Sequence, residues 1–388
     1  MKEVTSMREV FVVSAARTPI GRAGKGSLVE IRPDDLAALV VREALARAGV
    51  PAQAVDDVQL GCGYPEGEQG YNLGRRVALL AGLPVRVPGS TVSRMCASSL
   101  QAVRTAAHAI AADEADVYIA AGAESLSRVG RTTRPEHRHP ALNGDPLPDV
   151  YVAMGITAEN VAREYGISRD DMDALALRSH RRAVAAQDSG FFDAQIVPVP
   201  RPDGTWVTLD DGPRRDTSAE RLAALPSAFG AGGPITAGNS CPLNDGAAAA
   251  VLASAFAVEK FGLTPRARVL ATAVCGVAPE MMGVGPIAAI RTVLTRAGLT
   301  SSPLDVVELN EAFAAQVLAV CRAAGIDVVE QLNPHGGASA LGHPFGMTGV
   351  RLVQAVVAAL EERDGRYGLA TLCVGGGQGM AVLLERTR

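Results

Sequence analysis

Two cysteines, one histidine and one asparagine in this sequence stand where reactive side chains are often found, at strand ends and helix starts. Cys96 follows the apolar residue Val92 and precedes a helical run from Leu100. The free N–H groups and the positive dipole end of a helix start favour a thiolate. Small residues after Cys96 leave room for a substrate. Cys96 is therefore a candidate nucleophile, with a buried structural cysteine as the alternative.

The other three candidates lie in the second half of the chain. His343 lies in a glycine-rich stretch before a predicted helix, and His335 is a rival in the same loop. Cys373 ends a predicted strand and precedes three glycines, which can bring backbone N–H donors close to a ligand. These glycines do not open a helix, so they are not a nucleotide-binding motif. Asn310 follows another predicted strand, where a buried amide needs a partner.

Together these residue types are the components of acyl transfer through a thioester. A histidine can accept the proton of a cysteine nucleophile. An asparagine and backbone N–H groups can stabilise an oxyanion or an enolate, and a second cysteine can move a proton. The combination indicates this chemistry more strongly than any one residue does.

An internal repeat indicates which elements position these residues. Residues 37–60 align without a gap with residues 286–309, placing Arg42 opposite Arg291 and Asp56 opposite Asp305. Each copy is an amphipathic helix that ends at Ala-Gly, where glycine supplies the left-handed conformation of a helix end, and a strand follows. A second pair of helix and strand repeats at nearly the same distance. Its predicted elements are helices 98–112 and 348–362 and strands 117–121 and 369–374.

Two copies of one unit predict a duplicated α/β fold, in which helices are buried between sheets. We expect an N-terminal half of residues 1–122, completed by residues 243–265, and a C-terminal half of residues 266–388. Residues 123–242 form an inserted loop domain that holds most of the polar, Arg- and Pro-rich sequence. A helical run is predicted inside it at residues 158–186.

Composition excludes several other classes of protein. The 388 residues carry 37 basic and 41 acidic side chains, without a basic run of the kind that nucleic-acid binding requires. No apolar stretch approaches the roughly 18 residues of a membrane span. Six scattered cysteines form no CxxC pair, which disfavours disulfides and a metal site. The first apolar stretch, residues 10–16, is too short for a signal peptide and is predicted to be a strand. We therefore expect a cytoplasmic protein.

Six motifs along the chain resemble those of the thiolases, the family of acetyl-CoA acetyltransferase and 3-ketoacyl-CoA thiolase. The motifs are VSRMCASSLQAV around Cys96, MGITAENVA at 154–162, TAGNSCPLNDGAAA at 236–249, NEAFAAQ at 310–316, GGASALGHPFGMTG around His343 and CVGGGQGMA from Cys373. The resemblance implies a five-layered αβαβα fold whose loop domain covers coenzyme A. It also implies a homodimer or homotetramer, a use in fatty acid metabolism, and no cofactor, since the coenzyme A thioester is a substrate.

The resemblance also implies catalytic roles in reversible thiolysis of 3-ketoacyl-CoA. Cys96 would take the acyl group and His343 would accept its proton. Cys373 would deprotonate the α-carbon in condensation, or protonate the acetyl-CoA enolate in cleavage. Asn310 would hold a water that binds the enolate oxygen together with His343. The N–H groups of Cys96 and Gly375 would form the second oxyanion hole.

The resemblance implies the residues that contact coenzyme A less specifically than it implies the catalytic roles. Basic residues of the loop domain are expected near the adenosine diphosphate, and four residues match positions along the pantetheine channel. Cys241 stands where the family often has serine, and Ala153 stands where short-chain biosynthetic members commonly have histidine. These departures argue against strict acetoacetyl-CoA specificity. The expected contacts are Arg214, Arg215 and Arg221 for the diphosphate and Met154, Phe229, Ala237, Phe313 and Cys241 for pantetheine.

Two other functions fit part of this pattern. A decarboxylating condensing enzyme of the ketosynthase type shares the implied fold, but it uses no α-carbon base and typically has a histidine in place of the NEAF motif. A carrier of acyl-CoA or lipid without turnover would be expected to lack one of the four reactive groups. The presence of both Asn310 and Cys373 favours a thiolase over either alternative.

Overall fold

The computed structural model describes residues 8–129 and 137–387. The first seven residues of the predicted N-terminal half, residues 130–136 of the predicted loop domain and Arg388 lie outside the described residues. Within the described part of the chain, no helix is both long enough and apolar enough to cross a lipid bilayer.

The first half of the chain alternates strands and helices, and an insert of mainly helical character follows. The first half contains β1 (Val10–Arg17), β2 (Gly21–Arg22), α1 (Pro33–Ala48), β3 (Asp57–Gly61), α2 (Leu73–Leu80), β4 (Gly89–Val92), α3 (Ser98–Ala111) and β5 (Val117–Ser125). The insert contains α4 (Met154–Glu164), α5 (Arg169–Asp188), β6 (Val199–Pro200), β7 (Trp206–Val207) and α6 (Ala219–Ala223). The chain then returns to the first half with β8 (Asn244–Ser254) and α7 (Ala255–Phe261).

The second half follows a similar order, although its described residues contain no strand equivalent to β4. It contains β9 (Ala267–Gly276), α8 (Gly285–Ala297), β10 (Leu304–Leu309), α9 (Ala314–Ala324), α10 (Ala338–Leu341), α11 (Phe345–Glu362), β11 (Tyr367–Val374) and β12 (Gln378–Arg386). Strand order is β4-β3-β5-β8-β1 in the first half and β10-β11-β12-β9 in the second. Three parallel strands (β4, β3 and β5) in the first half and two (β10 and β11) in the second are followed by antiparallel ones. The two sheets meet where β1 pairs with β9.

Equivalent hydrogen bonds confirm the duplication. Arg42 of α1 donates to the carbonyl of Leu80 at the end of α2, and Arg291 of α8 donates to the carbonyl of Ala323 in the last turn of α9. An aspartate before the next strand repeats in the same way. Asp56 Oδ2 accepts the N–H groups of residues 116 and 117 at the start of β5, and Asp305 Oδ2 accepts those of residues 366 and 367 at the start of β11.

Helices α3 and α11 form the middle of five layers. Apolar residues of both helices share one core with the facing sides of the two sheets. Helices α1 and α2 cover the outer face of the first sheet, and α8 and α9 cover that of the second. The predicted α/β fold with αβαβα layers is therefore confirmed. Its central layer buries apolar side chains on every side, as in helices that have no solvent-facing stripe.

Glycines let the central helices approach the strands and each other backbone to backbone. A Cβ on Gly122 of β5 would lie 2.0 Å from the carbonyl oxygen of Gly346, in the first turn of α11. A Cβ on Gly349 of α11 would lie 2.1 Å from the nitrogen of Leu100 in α3. A hydrogen bond from the nitrogen of Val350 to Ser99 Oγ, 3.1 Å long, also joins the two helices.

Three elements differ from the sequence expectations. The run predicted at residues 158–186 is two helices, α4 and α5, because Gly166 adopts a left-handed conformation and Ser168 caps the second helix by accepting from Asp171. Strand β5 continues to Ser125, past the boundary expected after residue 122, since it stays paired with β8. Helix α11 begins at Phe345, three residues earlier than expected.

We expect Gly122→Ala to destabilise the protein by about 1–3 kcal/mol, because the new methyl group overlaps the Gly346 carbonyl and strand and helix must separate. Gly276→Ala in β9 is the matched control, since nothing lies within 4 Å of a Cβ at that position. Its effect should stay within about 0.5 kcal/mol. Urea unfolding at one protein concentration measures both values. Equal stability of the two variants would contradict this packing.

Candidate active site

The turn that carries Cys96 joins β4 to α3. Residues 95–97 form one 3₁₀ turn, and Met95 has a φ of 43°, a left-handed conformation that is uncommon outside glycine. Ser98 stabilises this turn, because its Oγ accepts from the nitrogen of Arg94 at 3.0 Å and donates to the carbonyl of Met95 at 2.7 Å. Backbone strain of this kind is typical of functional sites. The turn packs against both α11 and β11 of the second half.

Two N–H groups face the Cys96 sulfur. One belongs to Gly375, the first glycine after β11, and the other to Cys96 itself. Burial and, to a smaller extent, the charge of Glu124 nevertheless raise the pKa of the Cys96 thiol to about 11. The unliganded protein therefore holds Cys96 as a thiol at neutral pH, with donors in place for negative charge that forms nearby.

His343 is buried in the loop before α11, and its hydrogen bonds define its tautomer. Thr348 Oγ1 donates to the carbonyl of Pro344 at 2.8 Å, so it can only accept from His343 Nδ1, at 2.6 Å. The proton therefore lies on Nδ1. Nε2 is buried with its lone pair unused, without a hydrogen-bond partner among the described residues. Burial lowers the pKa of His343 to about 3, which keeps the ring neutral.

Asn310 is the second buried polar group that lacks a partner. Its backbone nitrogen donates to the carbonyl of Thr371 at 3.0 Å, which fixes the residue beside β11. Both polar atoms of its fully buried side chain have no partner within the described part of the chain. Unsatisfied buried groups are rare in native proteins and call for an explanation such as catalysis or an ordered water.

Cys373 lies in β11, and Asn310 directly follows the neighbouring strand β10, whose Leu309 pairs with Thr371. Burial raises the pKa of the Cys373 thiol well above its usual value, and proximity to Cys96 and Cys241 raises it further. The Cys96 and Cys241 thiols are thus near enough to Cys373 to disfavour its charged form. The structure therefore brings Cys96, Cys373 and Gly375 together with Cys241.

Apolar residues predicted for a pantetheine channel lie beside this cluster. A Cβ on Gly375 would lie 3.8 Å from Met154 Sδ, so the first residue of α4 covers the glycine turn. Phe229 packs directly on Gly155, the next residue of α4, and its ring meets that of Phe313 edge to face at 6.0 Å. Met154, Phe229 and Phe313 thus form one apolar wall that reaches the reactive cysteines.

The residues predicted to contact the diphosphate lie on the exposed surface of the insert. The side chains of Arg215 and Arg221 form ion pairs with Asp188 and Asp216. Arg214 is exposed and forms no ion pair with another described residue. Ala237 is also exposed, whereas Cys241 is half-buried, with its backbone nitrogen bonded to the Ala312 carbonyl.

The rival His335 is engaged elsewhere. Its Nε2 lies 2.8 Å from a carboxylate oxygen of Glu362, and its ring stacks on Phe191 with 3.4 Å between centroids. This leaves His343, whose loop leads into the helix packed against the Cys96 turn, as the candidate base. Among the described residues, no group of three or more His, Cys, Asp or Glu side chains is arranged to hold a metal ion.

Sequence reasoning missed the residues that hold these groups in place. Asn244, at the start of β8, accepts from the His343 nitrogen at 2.9 Å and donates to the Gly21 carbonyl at 3.0 Å. Thr348 sets the tautomer of His343. Glu124 is fully buried at the end of β5. A polar residue directly after an apolar strand was the available signal for Glu124, but its partners are distant in sequence.

Comparison with known proteins identifies the family. Residues 10–255 match the model of the thiolase N-terminal domain, and residues 263–386 match that of the thiolase C-terminal domain. The chain belongs to the thiolase family. Thiolases are acyltransferases, named among its relatives as 3-ketoacyl-CoA thiolase and acetyl-CoA acetyltransferase.

Similar thiolases cover the whole chain. A beta-ketoadipyl-CoA thiolase from Pseudomonas aeruginosa is 49% identical, over 98% of this chain and 99% of its own length. A 3-ketoacyl-CoA thiolase from Bacillus subtilis is 44% identical, over 98% of this chain and 100% of its own length. The crystal structure of Bacillus anthracis acetyl-CoA acetyltransferase has a TM-score of 0.92 at 38% identity, covering 98% and 100%. The crystal structure of human mitochondrial 3-ketoacyl-CoA thiolase in complex with CoA has a TM-score of 0.90 at 36% sequence identity, and the match covers 99% of each chain.

The low pKa of His343 predicts how stability depends on pH. Unfolded histidine binds a proton below about pH 6.5, whereas folded His343 stays neutral down to about 3. Its contribution to stability is therefore complete above pH 6.5 and is lost as the pH falls. The free energy of unfolding falls as the pH is lowered from 7.5 to 5. We expect this fall to be about 2 kcal/mol smaller in His343→Asn than in the wild type.

Urea unfolding at the two pH values measures this difference. His180, whose pKa is lowered to about 4 by burial, contributes equally to both proteins and cancels. Identical pH dependence of wild type and variant would contradict a neutral, buried His343.

Proposed function

We propose that this thiolase catalyses the reversible thiolysis of 3-ketoacyl-CoA by a ping-pong mechanism with an acyl group on Cys96. The observation that carries the proposal is a pair of buried, unpartnered groups, His343 Nε2 and the Asn310 amide. His343 precedes α11 and Asn310 lies beside β11, the two elements that pack on the Cys96 turn. Leaving such groups unpaired in a dry interior costs free energy. A substrate that supplies their partners explains why they are kept.

The first half-reaction follows from the geometry at Cys96. The sulfur attacks the 3-keto carbon while His343 Nε2, whose lone pair is free, accepts the thiol proton. The N–H groups of Cys96 and Gly375 stabilise the oxyanion that forms. The bond between C2 and C3 then breaks, leaving the shortened acyl group on Cys96 as a thioester. The electron pair of the broken bond goes to acetyl-CoA as its enolate.

Cys373 and Asn310 act on this enolate. The high pKa of the Cys373 thiol suits it to protonate C2 of the enolate in cleavage. The Asn310 amide, through a water, and protonated His343 bind the enolate oxygen. Free coenzyme A then gives its thiol proton to the Cys373 thiolate and attacks the acyl group on Cys96. Protonated His343 returns its proton to the departing Cys96 sulfur, which regenerates both thiols and the neutral histidine. Condensation of two acetyl-CoA molecules to acetoacetyl-CoA runs the same steps in reverse.

Coenzyme A is a substrate rather than a bound cofactor in this proposal. We assign the loop domain, residues 123–242, to its binding, with Met154, Phe229, Ala237, Phe313 and Cys241 along the pantetheine arm. The wall of Met154, Phe229 and Phe313 supports this assignment. Among the three predicted arginines, Arg214 is the best placed to contact the diphosphate, because Arg215 and Arg221 are engaged by carboxylates.

A cytoplasmic location and a homodimer or homotetramer complete the proposal. Strand β4 is at the edge of its sheet, with β3 as its partner, and the neighbouring α2 region exposes apolar side chains at Leu79, Leu80 and Val85. An open strand edge beside apolar surface is a typical subunit interface. Matches to thiolases along the whole chain disfavour the ketosynthase alternative. The complete set of reactive groups disfavours a carrier without turnover.

Two cysteine variants test the division of roles. Cys96→Ala should abolish thiolysis of acetoacetyl-CoA and covalent labelling by radioactive acetyl-CoA, because the nucleophile is absent. Cys373→Ala should still be labelled at Cys96 but should neither cleave nor form the carbon–carbon bond. Thiolysis by Cys96→Ala would overturn the nucleophile assignment. Loss of labelling in Cys373→Ala would contradict the assignment of separate roles.

A dicarboxylic acyl chain is the more specific substrate that we propose. Several relatives at 43–49% identity are named beta-ketoadipyl-CoA thiolase. The segment around Tyr151 lies on the glycine turn, since a Cβ on Gly376 would lie 3.2 Å from Val150 Cγ2. The guanidinium of Arg138 lies 5.4 Å from the centre of the Tyr151 ring and forms no ion pair with a described residue. This cation can meet a distal carboxylate.

We expect faster thiolysis of 3-ketoadipyl-CoA than of 3-ketohexanoyl-CoA, which has the same chain length without the carboxylate. Arg138→Gln should reduce kcat/KM for 3-ketoadipyl-CoA about tenfold or more, which corresponds to the loss of one charge-assisted hydrogen bond. It should leave kcat/KM for 3-ketohexanoyl-CoA unchanged. Arg138→Lys, which keeps the charge, is the matched control. An equal effect on both substrates would contradict a role for Arg138 in recognising the carboxylate.

A further inference from the structure

Glu124 is a fully buried carboxylate whose surroundings consist of hydrogen-bond donors. Its Oε2 accepts from the nitrogens of Gly63 and Gly346, at 2.7 and 2.9 Å. Its Oε1 accepts from the nitrogen of Tyr64 at 3.1 Å and from Gln69 Nε2 at 2.7 Å. Burial raises the pKa of Glu124, and these four donors oppose that rise. Because N–H groups cannot accept a proton from a carboxylic acid, this arrangement suits the anion.

One side of this network leads to the nucleophile. The loop that follows β3 is bound to Glu124 through Gly63 and Tyr64, and it is also bound to the segment that enters the Cys96 turn. The carbonyl of Gly63 accepts from Ser93 Oγ at 3.1 Å, and the nitrogen of Cys62 donates to the Val92 carbonyl at 3.0 Å. A shift of this loop would therefore shift the segment before Cys96.

The other side leads to the base. Gly346 is the second residue of α11 and follows His343 closely in sequence, so its bond to Glu124 fixes the helix start that carries the histidine loop. A carboxylate at a helix N-terminus is stabilised by the free N–H groups there. The Phe345 ring lies edge to face against the His343 ring at 5.0 Å, and against the Tyr64 ring at 5.8 Å.

The packing leaves little freedom to this arrangement. A Cβ on Gly63 would lie 2.6 Å from Glu124 Oε2 and 2.9 Å from Phe345 Cβ, so the loop, the carboxylate and the helix start are in direct contact. Glu124 also acts on Cys96 through space, since its charge raises the pKa of the thiol.

We propose that Glu124 is a positioning residue for acyl transfer, because its carboxylate binds the loop beside the Cys96 segment and the start of the helix after His343 as one unit. The nucleophile belongs to the first half of the fold and the base to the second. Glu124 thus sets the distance and orientation between Cys96 and His343, which are far apart in the sequence. The inference rests on the proposed acyl transfer at Cys96.

Glu124→Gln tests it, because the amide is of the same size but places an NH2 group against N–H donors. We expect kcat for thiolysis to fall about 100-fold, as for a misplaced catalytic group, while KM for coenzyme A changes little. The pH profile of Cys96 alkylation by iodoacetamide should shift to lower pH, since the negative charge near the thiol is lost. Glu124→Asp should restore the alkylation profile and part of kcat.

Asp56→Asn is the matched control, since Asp56 accepts two backbone N–H groups at the opposite end of β5. It should keep the kcat and the alkylation profile of the wild type. Ser93→Ala provides a test that does not depend on folding of the Glu124 variant, because Ser93 is exposed. It should lower kcat about fivefold, the value of one hydrogen bond, without weakening coenzyme A binding.

Several outcomes would overturn the inference. A folded Glu124→Gln variant with the kcat and alkylation profile of the wild type would do so, as would an equal loss of kcat in Asp56→Asn. If Glu124→Gln does not fold, an unchanged kcat in Ser93→Ala would overturn it. A wild-type protein without thiolase activity would instead refute the proposed function itself.

Discussion

The close passage of α3 and α11 between the two sheets is the constraint on which the rest of the structure depends. Gly122 and Gly349 allow backbone contact where any side chain would separate the layers. Both helices start beside the end of β3, since Gly61 lies against Ser98 of α3 and against Gly346 of α11. Cys96 precedes α3 and His343 precedes α11, so a duplicated fold places a nucleophile and a base at equivalent positions of its two halves.

The two halves contribute to the site from equivalent positions, but the residues at these positions differ in chemistry. Asn310 occupies the place of Gly61 in the repeat. Cys373 occupies that of Ala123, and the two residues after it occupy those of Glu124 and Ser125. The second half therefore contributes the base, the second thiol and the amide. The first half contributes the nucleophile and the carboxylate that fixes the loops.

Electrostatics keep this site neutral until substrate arrives. Burial raises the pKa of both thiols and lowers that of His343, so none of the three is charged at neutral pH. The N–H groups at Cys96 and the unpaired Asn310 amide are in place before charge develops. Groups that bind the transition state better than the resting state accelerate a reaction, and fixed donors in a dry site act in this way.

Periodic helices and repeated spacing were sufficient to predict the duplication, because they are local signals. The layer order and the family were implied by the resemblance of the motifs to those of thiolases. Sequence alone was not sufficient for Glu124 or Asn244, whose partners are distant in the chain. The helical run at residues 158–186 was read as continuous because apolar spacing continues through Ile167, although Gly166 and Ser168 mark the break. The exposed arginines of the insert could not be ranked before Asp188 and Asp216 were found against two of them.

The most direct test of the account is a high-resolution crystal structure of Cys96→Ala with bound acetoacetyl-CoA, which the variant cannot turn over. The account predicts a water that accepts from Asn310 Nδ2 and donates both to the thioester oxygen and to the lone pair of His343 Nε2. It also predicts the 3-keto oxygen beside the Gly375 N–H. A complex in which Asn310 and His343 bond to other protein atoms, with the thioester elsewhere, would contradict it.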